Sequence, residues 1–337
     1  MTESTRRRPS DRSARIGLAV VFAALAADER EAIDRAWRAG AGVAHNWNPA
    51  FVYTGVAPIT NAAPADLLVY LGESSRFDSV AGALAQEMPV VFVKSTVEQL
   101  LEVPPGAPRR YRMCTGVRGI ARALASVAPP GPTVDWTSMP WPEAFSRLCH
   151  LDEAEQRYVD ISVAAFREAM ASRSIPWRTV FPPDGSSFSV FLTIHDPAAA
   201  ILAAGALDRW AGGTVLAADG MVAMRAPNGE PWSDRLIRVR HWSPRIRSAS
   251  NGLFRTALDG RPLPDFDSAG MLFGTMAFLD RALATGARPH RLEDASAQWG
   301  PLGMTRLTAS WCPHPERIVV FQGQNHKVIA IESANDN

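Results

Sequence analysis

The chain has 337 residues, 47% hydrophobic and 20% charged, with a formal net charge of +1. That balance suits a globular protein with room for two domains, and it excludes a basic nucleic-acid groove and a polybasic membrane patch. The three cysteines, Cys114, Cys149 and Cys312, lie far apart without CxxC spacing. They exclude a disulfide framework and read as buried thiols.

Residues 1–14 are charged and polar and read as a disordered segment. Five arginines, Arg6, Arg7, Arg8, Arg12 and Arg15, precede an apolar run, and Ala24-Leu25-Ala26 resembles a signal-peptidase site. The competing reading makes residues 16–22 the first β-strand and residues 27–39 its helix. In that helix Ile33, Ala36, Trp37 and Gly40 share a face, and Asp28, Glu29 and Glu31 suit the positive end. We favour the strand, because an α/β lobe without it loses the centre of its sheet. The favoured compartment is then the cytoplasm; the alternative is periplasmic, with residues 1–26 as a signal peptide. No other segment has the apolar length to span a bilayer.

Residues 41–64, with prolines and asparagines, have no clear form. Residues 66–71 and 90–93 are short apolar runs of the kind a parallel strand buried on two faces requires. Residues 79–88 read as a helix ended by Pro89, residues 111–114 as a fourth strand, and residues 117–127 as a helix with Ile120, Leu124 and Val127 on one side. Pro129, Pro130, Gly131 and Pro132 are the strongest punctuation in the chain, and a lobe boundary is expected there. Beyond it, a strand near residues 133–142 is hard to find. Residues 152–173 read as an amphipathic helix with Tyr158, Ile161, Ala165 and Phe166 facing in. Strands are expected at 189–194, 214–218, 236–239, 304–311, 317–321 and 328–331, and helices at 197–210 and 266–283. The alternation predicts an α/β protein of two Rossmann-like lobes with parallel sheets.

Familiar enzyme motifs are missing. There is no GxGxxG after a strand, no Walker A sequence, no GxSxG and no HExxH. None of the seven histidines pairs with another at helical ligand spacing, and Cys312-Pro313-His314 reads as a loop. No cofactor and no metal are therefore expected.

Small hydroxyl residues fall where two strands end. The strand at 67–71 runs into Gly72-Glu73-Ser74-Ser75, and the strand at 90–93 into Lys94-Ser95-Thr96, each before a helical stretch. In an open parallel sheet, ligands bind outside the carboxyl ends of the strands, where helix N-termini offer N–H groups. Ser74, Ser75, Ser95 and Thr96 are the candidate donors to a small polar ligand; the plain alternative is that they cap helices.

These stretches resemble the type I periplasmic-binding-protein fold, in its branched-chain amino acid and amide branch. The resemblance rests on residues 71–75 through 89–96, on Leu253-Phe254, Pro264 and the apolar helix 269–286, and on Trp299-Gly300-Pro301-Leu302-Gly303 leading to residues 318–323. It implies a hinge crossed near Pro130, Arg245 and Gly300. Lobe 1 is then residues 15–129 plus 246–299, and lobe 2 residues 130–245 plus 300–333. A small polar ligand (an amino acid, amide, urea or small acid) would sit in the cleft and be held by hinge closure. From lobe 2, Asp219 and Trp242 are the candidate ligand contacts. The partner would be a transporter for an exported receptor, or a regulated protein for a cytoplasmic sensor. Two departures stand out: the first lobe lacks an evident second strand, and the strand after the first crossover is not evident.

The alternative function is an isomerase or racemase-like enzyme on a related two-lobed frame. It needs an acid and base across the cleft. Glu73 with Lys94 is the pair available in lobe 1, with His195 or Asp219 opposite.

Overall fold

The computed structural model describes residues 14–21, 27–43, 47–54, 65–135, 153–180, 188–192, 214–217, 236–296, 298–300, 303–305, 307, 318–322 and 327–332. Among these residues there are two large sheets, one of five strands and one of seven.

The first sheet contains β1 (Ala14–Val21), β2 (Trp47–Thr54), β3 (Leu67–Gly72), β4 (Val90–Phe92) and β5 (Arg110–Arg112), in the order β2-β1-β3-β4-β5. All of its pairings are parallel. The apolar run after the N-terminal arginines is therefore an interior strand, flanked on both sides. The second strand that was not evident in residues 41–64 is β2, beside β1 at the sheet's edge. Period-two alternation divides the side chains between two cores. Ile16, Leu18, Val20, Leu67, Val69, Leu71, Val91 and Val93 face one core; Ala19, Val21, Leu68, Tyr70, Val90 and Phe92 face the other.

The first of these cores is covered by α1 (Ala27–Val43), α5 (Ala249–Ala257) and α6 (Asp267–Ala284). Ile33, Ala36, Trp37 and Gly40 of α1 are all buried, as their shared face predicts. The second core takes α2 (Phe77–Ala81). The helix expected over 79–88 is shorter than its pattern: α2 is followed by a 3-10 turn at Leu84–Gln86. Tyr70, Phe77 and Phe92 meet there edge to face, with centroids 4.7–5.9 Å apart.

The second sheet has the order β14-β13-β10-β9-β8-β6-β7. It is built from β6 (Thr133–Asp135), β7 (Trp177–Arg178), β8 (Ser189–Leu192), β9 (Thr214–Ala217), β10 (Leu236–Arg240), β13 (Ile318–Gln322) and β14 (Lys327–Glu332). Strands β6 to β10 pair in parallel, while β13 and β14 join antiparallel, so this sheet is mixed. The elusive strand after the proline-rich break is β6. The hairpin of β11 (Gln298–Gly300) and β12 (Gly303–Thr305) stands apart.

Helix α3 (Val117–Val127) has the predicted bounds and a different neighbourhood. Its Val117, Ile120, Ala121 and Leu124 share a core with Phe166 and Met170 of α4 (Glu153–Ser172) and with Leu216, Ile237 and Val239. The chain thus reaches the second sheet before α3, ahead of the prolines that were expected to mark the passage. A proline-rich stretch reports where helix must stop, not which sheet the helix covers.

Candidate ligand site at the strand ends

The turns after β3 and β4 leave adjacent parallel strands at the same end of the first sheet, so their backbones are neighbours by construction. The ladder continues past the strands, with Val93 N–H donating to the Tyr70 carbonyl at 2.9 Å and Met113 N–H to the Phe92 carbonyl at 2.8 Å. At Gly72 β3 passes close against β1: a Cβ there would lie 2.6 Å from the Val21 carbonyl oxygen. The glycine lets β3 run into its turn against its neighbour.

Ser74 opens a 3-10 turn (Ser74–Arg76) that leads into α2. Its Oγ accepts from Thr96 N–H at 3.2 Å, which joins the two turns directly. Ser95, 1% exposed, donates from Oγ to the Gly72 carbonyl at 3.2 Å. Thr96 Oγ1 lies 3.3 Å from the hydroxyl of Tyr158, which α4 brings in from the second sheet's side. Ser75 is half-buried in the same turn as Ser74. No side-chain cap hydrogen bond forms at this 3-10 turn, whose N-cap is Glu73, or at α2, whose N-cap is Arg76. Helix capping is therefore not what these serines do.

Hydroxyl chemistry determines what such a turn can offer. A hydroxyl has one proton and two lone pairs. Ser74, accepting from Thr96 N–H, keeps its own proton for donation, and the Thr96–Tyr158 bond uses one of two protons. The arrangement suits an oxygen acceptor such as a carboxylate or an amide carbonyl.

Buried groups hold the backbone beneath. The Arg112 guanidinium, 1% exposed, donates to the Thr96 carbonyl at 3.1 Å. The Cys114 thiol donates to the Ser95 carbonyl at 3.2 Å. Lys94 forms a buried ion pair with Asp267 at 3.1 Å. The lysine considered as an acid–base partner for Glu73 is thus committed to a different carboxylate.

No protein-family model and no curated protein matches the chain. Solved structures do match it over nearly its whole length. A leucine-binding protein from Thermotoga maritima aligns with a TM-score of 0.69 at 13% identity, covering 95% of this chain and 98% of that one. The fold is that of the type I periplasmic binding proteins. A substrate-binding protein of an ABC transporter from Desulfitobacterium hafniense, in complex with leucine, gives 0.66 at 15% identity, covering 94% and 99%. A solute-binding protein from Rhodopseudomonas palustris HaA2, in complex with p-hydroxybenzoic acid, gives 0.65 at 11%, covering 96% and 98%.

Within this binding-protein fold the sequence-derived candidates divide. Ser74, Ser75, Ser95 and Thr96 come together. Trp242 does not join them: it is 1% exposed, in the core of the first lobe, and donates from Nε1 to Asn251 Oδ1 at 2.5 Å. A Cβ on Gly270 would overlap its ring, so the indole is packed tightly against α6. This corrects its assignment as a cover over the ligand. The strand end after β10 leads straight back into the first lobe, which carries Trp242 with it. Asp219, His195 and the helix at 197–210 lie outside the described residues. Among the described residues no three His, Cys, Asp or Glu side chains form a metal-holding group, and no helix is long and apolar enough to cross a membrane.

Two participants were missed as site residues, Tyr158 and Arg112. Tyr158 was legible as an inward-facing position of α4, yet its polar tip in a stripe with Ile161, Ala165 and Phe166 was the available signal. Buried tyrosines place the hydroxyl on a partner. Arg112 sits between Tyr111 and Met113 in the fourth strand, and a buried guanidinium there requires acceptors.

Proposed function

We propose that this chain is a two-lobed binding protein that closes on a small polar ligand and holds an oxygen-bearing head group at Ser74, Ser75 and Thr96, on turns that the Ser95 hydroxyl braces through the Gly72 carbonyl. The observation that carries the reading is the junction of the two strand-end turns, Ser74 Oγ to Thr96 N–H, with Tyr158 from the other lobe on the Thr96 hydroxyl. A ligand between the lobes would meet hydroxyls from both. Proteins of similar structure have been solved with leucine and with p-hydroxybenzoic acid. By extension, an amino acid or small organic acid is the ligand class here, and lobe 2 contributes through Tyr158 and, in this reading, Asp219.

We further propose a role as a cytoplasmic sensor that acts on a regulated partner when its lobes close. What supports this is β1: cleavage after Ala26 would remove an interior strand paired on both sides. Intact-mass analysis of the protein from its native cell should find the residues before Ala27 retained; a mature N-terminus at Ala27 would refute the proposal.

The binding reading is tested by thermal shift of the full chain with leucine, isoleucine, benzoate, p-hydroxybenzoate, acetamide and urea. A true ligand at a hundredfold excess over its Kd should stabilise by about 2.7 kcal/mol. Thr96→Ala should then weaken binding by roughly 1.5–3 kcal/mol, the usual range for a hydrogen bond to a charged group. A ligand that binds Thr96→Ala as well as it binds the wild type would place the site elsewhere.

A further inference from the structure

The turn that opens α6, residues 265–268, carries polar contacts that run to three different parts of the molecule. Ser268 Oγ donates to Glu29 Oε1 at 2.7 Å, which ties the turn to the start of α1. Asp267 Oδ2 is 3.1 Å from Lys94 Nζ, with the two side chains 5% and 4% exposed. Asp265 Oδ1 accepts from Arg240 Nη1 at 2.8 Å, and the Asp265 carbonyl accepts from Nη2 at 3.3 Å.

The far ends of these contacts matter for the site. Lys94 directly precedes Ser95 and Thr96, the residues that meet Ser74 and Tyr158. Arg240 ends β10, the strand from which the chain leaves the second sheet, and Trp242 two residues later is in the first lobe's core. One short turn therefore holds the ligand loop through Asp267 and the connecting strand through Asp265.

A buried ion pair is a poor stability device, since apolar replacements of similar size are often neutral or better. It does impose a fixed geometry, because either charge left alone in the core is strongly unfavourable. The Lys94–Asp267 pair ties the backbone just before Ser95 and Thr96 to the start of α6.

We propose that the turn 265–268 links the inter-lobe strand to the ligand loop, with Asp267 and Lys94 as positioning residues and Asp265–Arg240 as the connection to the hinge. Movement of β10 relative to the first lobe is passed to Ser95 and Thr96 through the rigid start of α6. The inference rests on reading the turn that carries Ser95 and Thr96 as part of the ligand site, and it deepens that reading by stating how closure reaches it.

Hydrogen exchange followed by mass spectrometry on the full chain tests it without a ligand. The variants are Asp267→Asn, Lys94→Met, Asp265→Asn, Asp265→Glu and, as control, Asp34→Asn, which breaks an exposed pair with Arg38 on α1. Residues 93–97 should exchange roughly tenfold faster in Asp267→Asn and Lys94→Met. They should also exchange faster in Asp265→Asn, where the hydrogen bonds changed are those to Arg240. Asp265→Glu should restore protection, and Asp34→Asn should change nothing there. Wild-type exchange at 93–97 in Asp265→Asn, or a uniform rise over all segments, would overturn the linkage. Should Asp267→Asn fail to fold, the half-exposed Asp265 variants decide the matter. Linked exchange in a protein that no probe ligand stabilises would sink the binding reading and leave the linkage standing.

Discussion

Helices α4 and α6, the two longest among the described residues, solve opposite packing problems. Helix α6 is buried without interruption from Asp267 to Asp280, because α1, α5 and the first sheet surround it. Helix α4 buries Tyr158, Val159, Ser162, Ala165, Phe166, Ala169 and Met170, and exposes Arg157, Asp160, Ala164, Arg167, Glu168 and Ala171. A helix that is apolar all round must be enclosed, and one with a stripe must be covered on one side. The difference sets what each can do for the site. Helix α6 anchors it from beneath through Asp267, which is locked; α4 presents Tyr158 from across the lobes on a helix free on its outer face.

The contrast between an enclosed α6 and a one-sided α4, and between their surroundings, can be broken in four ways. The largest effect should come from alkaline pH. Burial, helped by nearby carboxylates, raises the Tyr70 and Tyr111 hydroxyls well above the usual tyrosine range, and Tyr111 also donates to Glu293 at 2.5 Å. Their folded pKa values exceed the unfolded ones, so the native state holds more protons above about pH 10 and stability falls as pH rises. Arg238 acts in the opposite sense, since burial and then Arg240 pull it down to about 10. Burial lowers Arg110 in that same sense, against a nearby Asp78, but the two tyrosines carry the larger shifts. Tyrosinate absorbance should lag in the native protein and jump with unfolding; a smooth titration near pH 10 with the fold intact would refute the enclosure.

Next in size is Gly270→Ala. The added methyl must displace the Trp242 ring, which Asn251 holds and Phe254 flanks, so overpacking should cost about 1–3 kcal/mol or more in denaturant melts. An unchanged midpoint would mean that the ring can move.

Tyr158→Phe should cost about 1 kcal/mol of stability, the value of one hydrogen bond, and should weaken whatever ligand the thermal-shift screen finds. Equal ligand affinity in the variant would confine Tyr158 to packing. The smallest effect is expected of Glu168→Ala on the outer face of α4, within about 0.5 kcal/mol. A larger loss would show that this face is covered by a partner or by another part of the chain.

Much of the lobe architecture was legible beforehand, for reasons visible in particular residues. Strands β3 and β4 could be read because Leu67-Leu68-Val69 and Val90-Val91-Phe92 are buried on both faces and tolerate no polar residue. Strand β6 was not, since three residues, Thr133, Val134 and Asp135, give no period to detect. The hydroxyls of the ligand loop were legible through their positions at strand ends. The groups that hold them, Arg112 and the Lys94–Asp267 pair, were not read as such.

By itself the sequence determined the longer strands and helices, such as β1, β3, α3 and α4, and which of their faces are apolar, because side-chain periodicity and burial are local properties of the chain. It also located the two hydroxyl turns, since a strand's end and the residues after it are adjacent in sequence. Only the tertiary structure decided that Trp242 packs on Gly270, that α3 covers the second sheet, and that Lys94 meets Asp267. Each of these joins residues whose separation along the chain carries no periodic signal. Their pairing follows from which surfaces the two sheets bring together, where burying one ring or one charge against the right neighbour is worth more than any local preference.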